Sequence, residues 1–228
     1  MLKVMTLFLK RPDLTRRQFR DYYEGHHVAM GLAANKYFGF TKYVRNHVVA
    51  ASPSPSARPF PEFDCFSEYT FRDVDAAVEA QKFMLTPGGK ALAEDELNFL
   101  DMSYHPSFGS SETLLAGTPR GVDTGITRKW ALVVARGEGI GAGEFLKSVE
   151  AFARDFARER SDTFVRMVLD APLDGPAGRP PFDAILSLWP KPEATQPPPE
   201  FRWPQARDQA LVLGLESLEA APETLGLQ

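Results

Sequence analysis

The chain has 228 residues, with 26 Lys+Arg against 30 Asp+Glu and a formal net charge of −4 at pH 7 with His neutral. At 43% hydrophobic and 25% charged residues, it has the balance of a folded protein long enough to hold a core without cross-links. Mild acidity without a basic stripe argues against a nucleic-acid partner. The single cysteine, Cys65, excludes an internal disulfide, and no apolar run approaches the roughly 20 residues that span a bilayer, which argues against a membrane partner.

The first segment, LKVMTLFLK at 2–10, is short, apolar and rich in strand formers. It runs into Lys10 and Arg11 without a small-residue cleavage site, so it reads as a strand, not a signal peptide, and a cytoplasmic location is expected. Thr15 and Gln18 in T-R-R-Q form a capping box that opens a helix near 15–35. Further strands are expected near 39–50, 62–71 and 98–108, a helix near 73–85 and a short helical turn near 88–96. After a linker, strands near 128–136, 162–170, 181–189 and 209–216 surround a helix near 142–159. The stretch KPEATQPPPEFRWP is too rich in proline for a helix interior.

The second series repeats the first. Lys3 matches Lys129 and Phe19 matches Phe145, both 126 positions apart. The Thr15 and Gln18 positions become Gly141 and Glu144, which keeps half the capping box. Val44-Arg45 resembles Val165-Arg166, and PEFDCFSEYTF resembles PPFDAILSLWP, each with Phe-Asp after prolines. A βαββαβ order is the ferredoxin-like split βαβ unit, whose sheet has one bare face that needs a partner. The expected fold class is therefore α+β, with tandem ferredoxin-like units forming a dimeric-α/β-barrel-type architecture within one chain. The expected division is 1–108 for the unit that carries the histidines, 109–127 for a linker, 128–216 for a degenerate second unit and 217–228 for a loose tail. Pairing of two chains sheet to sheet, as a homodimer, is the alternative.

The segment FRDYYEGHHVAM at 19–30 carries the chemistry. At 100° per residue Phe19, Tyr22, Tyr23, His26, Met30 and Ala33 share a stripe, with His26 near its centre and His27 at its edge. Either histidine could be a core residue bonded to a carbonyl, or a proton-transfer group that works near pH 7. On the strands, Tyr43, Arg45 and His47 share one face, and Asp64, Phe66 and Glu68 share another. Polar groups are costly under a helix unless paired, so Tyr43, Arg45, His47, Asp64 and Glu68 are expected in the barrel interior. An ion pair of Arg45 with Asp64 or Glu68, and a solvated strand end for His47, are the plainer readings. Arg166 and Asp183 in the second copy favour structural duties for Arg45 and Asp64.

The pattern F-x-x-Y-[YW]-x-x-x-H at Phe19, Tyr22, Tyr23 and His27, with DE-x-x-F at Asp95, Glu96 and Phe99, resembles the EthD-domain family of the dimeric α/β-barrel superfamily. The likeness covers roughly residues 2–108, and Ala29 stands where the family usually has proline. It implies one active-looking half and one scaffold half, because Phe152 and Ala153 replace the two histidines in the second copy. It further implies dehydration, decarboxylation or cyclisation without a cofactor, on a small aromatic or polyketide-like molecule. In that scheme His27 or His26 is the general acid or base, Tyr43 bonds a developing oxyanion and Arg45 anchors a carboxylate. Asp64 and Glu68 complete the candidate catalytic set, and Tyr22, Tyr23, Arg45, His47 and Phe66 the candidate substrate contacts. A non-catalytic carrier of a small hydrophobic ligand and a haem-binding barrel are the alternatives.

Other features read as structure. GEGIGAGEF at 137–145 lacks the third glycine of a dinucleotide loop, since residue 142 is Ala. His26, His27, His47 and His105 show no metal-ligand spacing, so no metal is expected. Cys65, Met5, Met30 and Met84 read as core.

Overall fold

A computed structural model describes residues 1–53, 63–119, 121–123, 125–173, 180, 182–192 and 208–227. The first half runs β1 (Leu2–Phe8), α1 (Arg16–Tyr22), a π-helical turn (Tyr23–His27), α2 (Val28–Ala33), α3 (Asn35–Phe38), β2 (Phe40–Pro53), β3 (Cys65–Phe71), α4 (Val74–Met84), α5 (Pro87–Glu96) and β4 (Ser107–Ala116). The second half runs β5 (Ile126–Ala135), α6 (Ala142–Glu159), β6 (Phe164–Pro172), β7 (Ala184–Pro190) and β8 (Gln209–Glu219), and ends in a 3₁₀ turn, Pro222–Leu225. The segment 191–204 lies mostly outside the described residues, as do most of the loops near 51–61 and 171–181 that could cover a cavity.

The eight strands close into one antiparallel barrel in the order β1-β3-β2-β8-β5-β7-β6-β4. Each half contributes the same series, its fourth strand beside its first, then its third, then its second. The halves meet where β2 pairs with β8 and β4 pairs with β6. Both ferredoxin-like sheets thus cover each other's bare faces within one chain, and closure removes the exposed strand edges. Pairing of sheets across two chains is not how this barrel closes.

The register runs alike in the two halves, as a duplication would have it, and corrects one correspondence. Met5 faces Glu68 on β3, and Ala131 faces Ser187 on β7, which keeps Lys3 equivalent to Lys129. The ladder is interrupted between Phe40 and Lys42 in one half and between Phe164 and Arg166 in the other. Lys42 pairs with Thr70 and Arg166 with Trp189, so Arg166 is the counterpart of Lys42, not of Arg45. The counterpart of Arg45 is Leu169. The Val-Arg likeness was a coincidence of two adjacent residues, three positions out of register.

Two further expectations change. The fourth strand does not occupy 98–108 but Ser107–Ala116, mostly inside the stretch expected to be a linker. Residues 97–100 instead finish α5 with a turn that buries Phe99 and Leu100. The end of the chain is not loose: β8 continues to Glu219, and Leu225 is buried while its carbonyl accepts from Asn35 Nδ2 at 2.9 Å.

Three apolar clusters fill the molecule. One lies in the barrel and includes Met5, Leu7, Phe66, Phe182, Ile185 and Leu213. The others lie between each half's sheet and its helices. No helix among the described residues is long and apolar enough to cross a membrane.

Candidate active site

The helix of the first half starts as the capping box predicts: Thr15 Oγ1 accepts from the Gln18 amide at 3.2 Å, and the Gln18 side chain accepts from the Thr15 amide at 3.0 Å. Tyr23–His27 then form a π turn, a feature frequent at functional sites. Ideal spacing of 100° per residue does not hold across it. His27, not His26, is carried to the inner side. The His27 side chain is 13% exposed, whereas that of His26 is 57% exposed.

His27 Nδ1 lies 2.8 Å from Asp95 Oδ2. Asp95, on α5, also accepts from the Tyr22 hydroxyl at 2.7 Å and from Asn98 Nδ2 at 3.3 Å, and His26 Nε2 stands 3.3 Å away. Burial works against the Asp95 carboxylate, but the bonds from Tyr22, His27 and Asn98 outweigh it and hold its pKa below the ordinary value. Burial pulls the His27 pKa down, with Asp95 as a partial counterweight. The resting state is therefore an ionised Asp95 and a neutral His27. An ionised carboxylate can only accept, so Nδ1 carries the proton and Nε2 is left as an acceptor. The helix α5 is held close to α4: a Cβ on Gly89 would stand 2.3 Å from Met84 Cα and Phe83 O, so glycine there sets the position of Asp95.

His27 lines a cavity of about 340 Å³ between the outer face of the sheet and the helices. Its floor is Val4, Thr6 and Phe8 of β1, Phe40 and Tyr43 of β2, and Tyr69 and Phe71 of β3. Gly31, Gln81, Met84, Leu92, Glu96 and His105 close it from above and the side. The Tyr43 and Tyr69 rings stack with centroids 5.0 Å apart, and Tyr43 shares a 2.9 Å hydrogen bond with the Tyr23 hydroxyl, which shares another of 2.8 Å with Ser67. Burial raises the pKa of all three tyrosines, that of Tyr69 to about 12, so they keep their protons. Such a site combines an apolar aromatic wall with a few converging polar groups.

The remaining candidates fall elsewhere. Tyr43, Arg45 and His47 face the helices, not the barrel interior. What the side-face reading missed is their partner, Glu24, which the π turn brings inward. Glu24 accepts from Arg45 Nη2 at 2.8 Å, and its other oxygen lies 2.7 Å from His47 Nε2. Burial opposes the Glu24 charge, yet His47 and Arg45 hold its pKa below the ordinary value. His47 is 3% exposed, so it is not a solvated strand end. The Arg45 guanidinium sits 4.8 Å over the Tyr43 ring and so touches the cavity only through that tyrosine.

Asp64 is at the barrel rim, not inside it. It accepts from the Lys10 amide at 3.1 Å and from Arg16 Nε at 2.8 Å. Asp183 accepts from the Arg136 amide at 2.8 Å in the same place of the second half. Glu68 does point into the barrel, with Phe66, but on the far side of the sheet from His27. It bridges Lys3 and Lys129 at 2.8 and 2.9 Å, beside an opening of about 690 Å³ at one end of the barrel. Of the candidates, the structure brings His27 and Tyr43 together at the cavity, with Tyr22 and Tyr23 behind them. It places Arg45, His47, Asp64, Glu68 and Phe66 outside. The sequence reading does not single out Asp95, Glu96 and Tyr69 as site residues. The first two were in view in the DE-x-x-F motif, and Tyr69 was on the strand face opposite Glu68.

A family model described as EthD domain matches residues 11–103. A solved structure described as an anthrone oxidase-like protein aligns with a TM-score of 0.59 at 13% identity, covering 96% of this chain and 93% of that one. A structure described as an EthD family protein from Bacillus halodurans covers 48% of this chain and 96% of its own, at 19% identity and a TM-score of 0.34. No curated protein matches. At these identities the first likeness shows the barrel fold and nothing about chemistry.

Proposed function

Residues 11–103 of this chain are an EthD domain, and from that premise we propose that the protein is a cytoplasmic, cofactor-independent enzyme of lyase or cyclase type. It removes a proton from a small aromatic or polyketide-like carbonyl compound held in the His27 cavity. One observation carries the reading: His27 is bonded through Nδ1 to an ionised Asp95, 2.8 Å away, while its ring lines an aromatic cavity. This is how a carboxylate fixes the tautomer of a catalytic histidine and steadies the imidazolium once the proton arrives. Nε2 is the base. The floor tyrosines, kept protonated by burial, can donate to an oxygen of the bound molecule. The cavity volume suits a ligand of one or two rings.

The test uses 2-tetralone, a two-ring ketone with acidic protons beside its carbonyl. Exchange of those protons for deuterium, followed by NMR, should be faster with the protein than with free imidazole at equal concentration. Equal rates with and without the protein would remove the enzymatic reading and favour a carrier of hydrophobic ligands. A Soret band on titration with haemin would favour the haem alternative.

A further inference from the structure

Asp95 and Glu96 are neighbours on α5, yet their surroundings are opposite. Asp95 accepts from Tyr22 and Asn98 and is bonded to His27. The Glu96 carboxyl lines the same cavity as His27 and has no hydrogen-bond or ion-pair partner among the described residues. We propose that Glu96 is the proton donor that works opposite His27, and that the ligand is an enolisable ketone fused to an aromatic ring, whose carbonyl oxygen it meets. This inference rests on the reading of His27 as the base.

The step balances within the cavity. His27 Nε2 takes the proton from the carbon beside the carbonyl. The C–H electron pair becomes the new C=C bond, and the carbonyl π pair moves to oxygen, which takes the Glu96 proton. The products are an enol, an imidazolium and a carboxylate, and reversal regenerates the ketone. No oxidant or further reactant is needed.

The environment prepares Glu96 for this part. Burial, with the neighbouring Asp95 charge, raises its pKa to about 7. The titratable groups that face it are Asp95 on its own helix, Tyr69 on β3, His27 on the π turn and His105 ahead of β4; α4 contributes only the neutral Gln81. A base whose pKa is lowered and an acid whose pKa is raised, in one cavity, are both in the working form over a shared range of pH. The sign follows. Activity rises with pH as His27 loses its proton, below 6.5, and falls as Glu96 loses its own, near 7. The profile is a bell.

The experiment compares wild type with Glu96→Gln on 2-tetralone exchange across pH. Gln keeps the shape and a hydrogen bond but cannot transfer a proton. The expected result is a loss of about 10²-fold at the optimum, with the alkaline limb gone and the acid limb kept. An unchanged rate and profile would overturn the proposal while leaving His27 as the base. A second probe needs no turnover. 2-Naphthol, a planar enol mimic whose hydroxyl donates to the ionised Glu96 as the product enol does, should bind to wild type more tightly as pH rises through 7, and to Glu96→Gln without that dependence. If 2-tetralone is not exchanged but this difference is found, Glu96 stands as the donor and the His27 reading falls. Failure of wild type to bind 2-naphthol, or equal pH dependence in both proteins, overturns the proposal.

Discussion

In the first half the helix over the sheet turns Phe19, Tyr23, His27 and Gly31 inward; in the second, Phe145, Val149, Ala153 and Ala157 take those places. The second set packs directly on Leu132, Val134, Met167 and Leu186. The first set spans a floor of aromatic rings with space left between them. Its helix is broken by a π turn, where α6 runs unbroken from Ala142 to Glu159. The polar groups divide likewise. Those at equivalent positions in both halves, Lys3 with Lys129 and Asp64 with Asp183, hold the barrel together. Those found in the first half alone, His27, Asp95 and Glu96, gather at the cavity. Duplication therefore marks Lys3, Lys129, Asp64 and Asp183 as structural groups without any second sequence.

The largest effect expected from this division is at His27. His27→Ala should lower 2-tetralone exchange by about 10²- to 10⁴-fold, with circular dichroism and melting temperature close to wild type. Asp95 keeps its bonds from Tyr22 and Asn98, so the helix packing has other ties. Retention of exchange would erase the functional difference between the halves.

The barrel network should respond in stability, not in exchange. Lys3 reaches from the first half to Asp170 of the second at 2.8 Å, and Lys129 reaches from the second to Glu68 of the first at 2.9 Å. Burial opposes the Glu68 charge, but Lys129 and Lys3 hold its pKa well below the ordinary value. Glu68→Ala leaves two buried ammonium groups short of a partner and should cost about 3–5 kcal/mol in denaturant unfolding. Because the folded pKa is depressed, the stability this group lends is present above its unfolded pKa and is lost as pH falls through the folded one. The melting temperature of wild type should therefore drop on acidification more than that of Glu68→Gln. A neutral result at Glu68 would mean that its ion pairs add nothing to the strand ladders and packing that join the halves.

Asp64→Ala and Asp183→Ala should each cost about 1–3 kcal/mol, the penalty for an unsatisfied buried amide. The two losses should agree within about 0.5 kcal/mol if the positions are equivalent. Exchange per folded molecule should stay unchanged in both, and a selective loss at Asp64 would return that residue to the site.

The halves were legible in the sequence because strands and caps are local. Lys3 and Lys129, the Phe-Asp pairs and the Thr15 box mark positions that short-range rules govern. The reach of the fourth strand was not legible, since 98–108 and 107–116 both hold residues that suit an extended chain. Nor were the faces of Tyr43, Arg45 and His47. Alternation says that they share a side, but which side depends on Glu24, 21 to 23 residues away and turned inward by a π helix that no periodicity reveals. Asp95 and Glu96 show the same limit. The motif was visible, yet only the packing of α5 against the first helix makes one carboxylate an anchor and leaves the other bare.

The smallest effect concerns the π turn itself. Gly25 lies within it, and Ala151 holds the corresponding place in α6 at the 126-residue offset. Glycine weakens a helix because it loses more backbone freedom on folding than alanine. Nothing lies within 4 Å of where its Cβ would stand, and its φ is not positive. Steric need thus does not explain the glycine. Gly25→Ala should stabilise the protein by about 0.4–1 kcal/mol, seen as a higher denaturant midpoint, with exchange unchanged. If stability rises and exchange falls, the turn must flex for the site to work, and the weakness of this helix belongs to function. If both stay level, the difference between Gly25 and Ala151 is neutral, and the contrast between the halves narrows to the side chains that face the cavity.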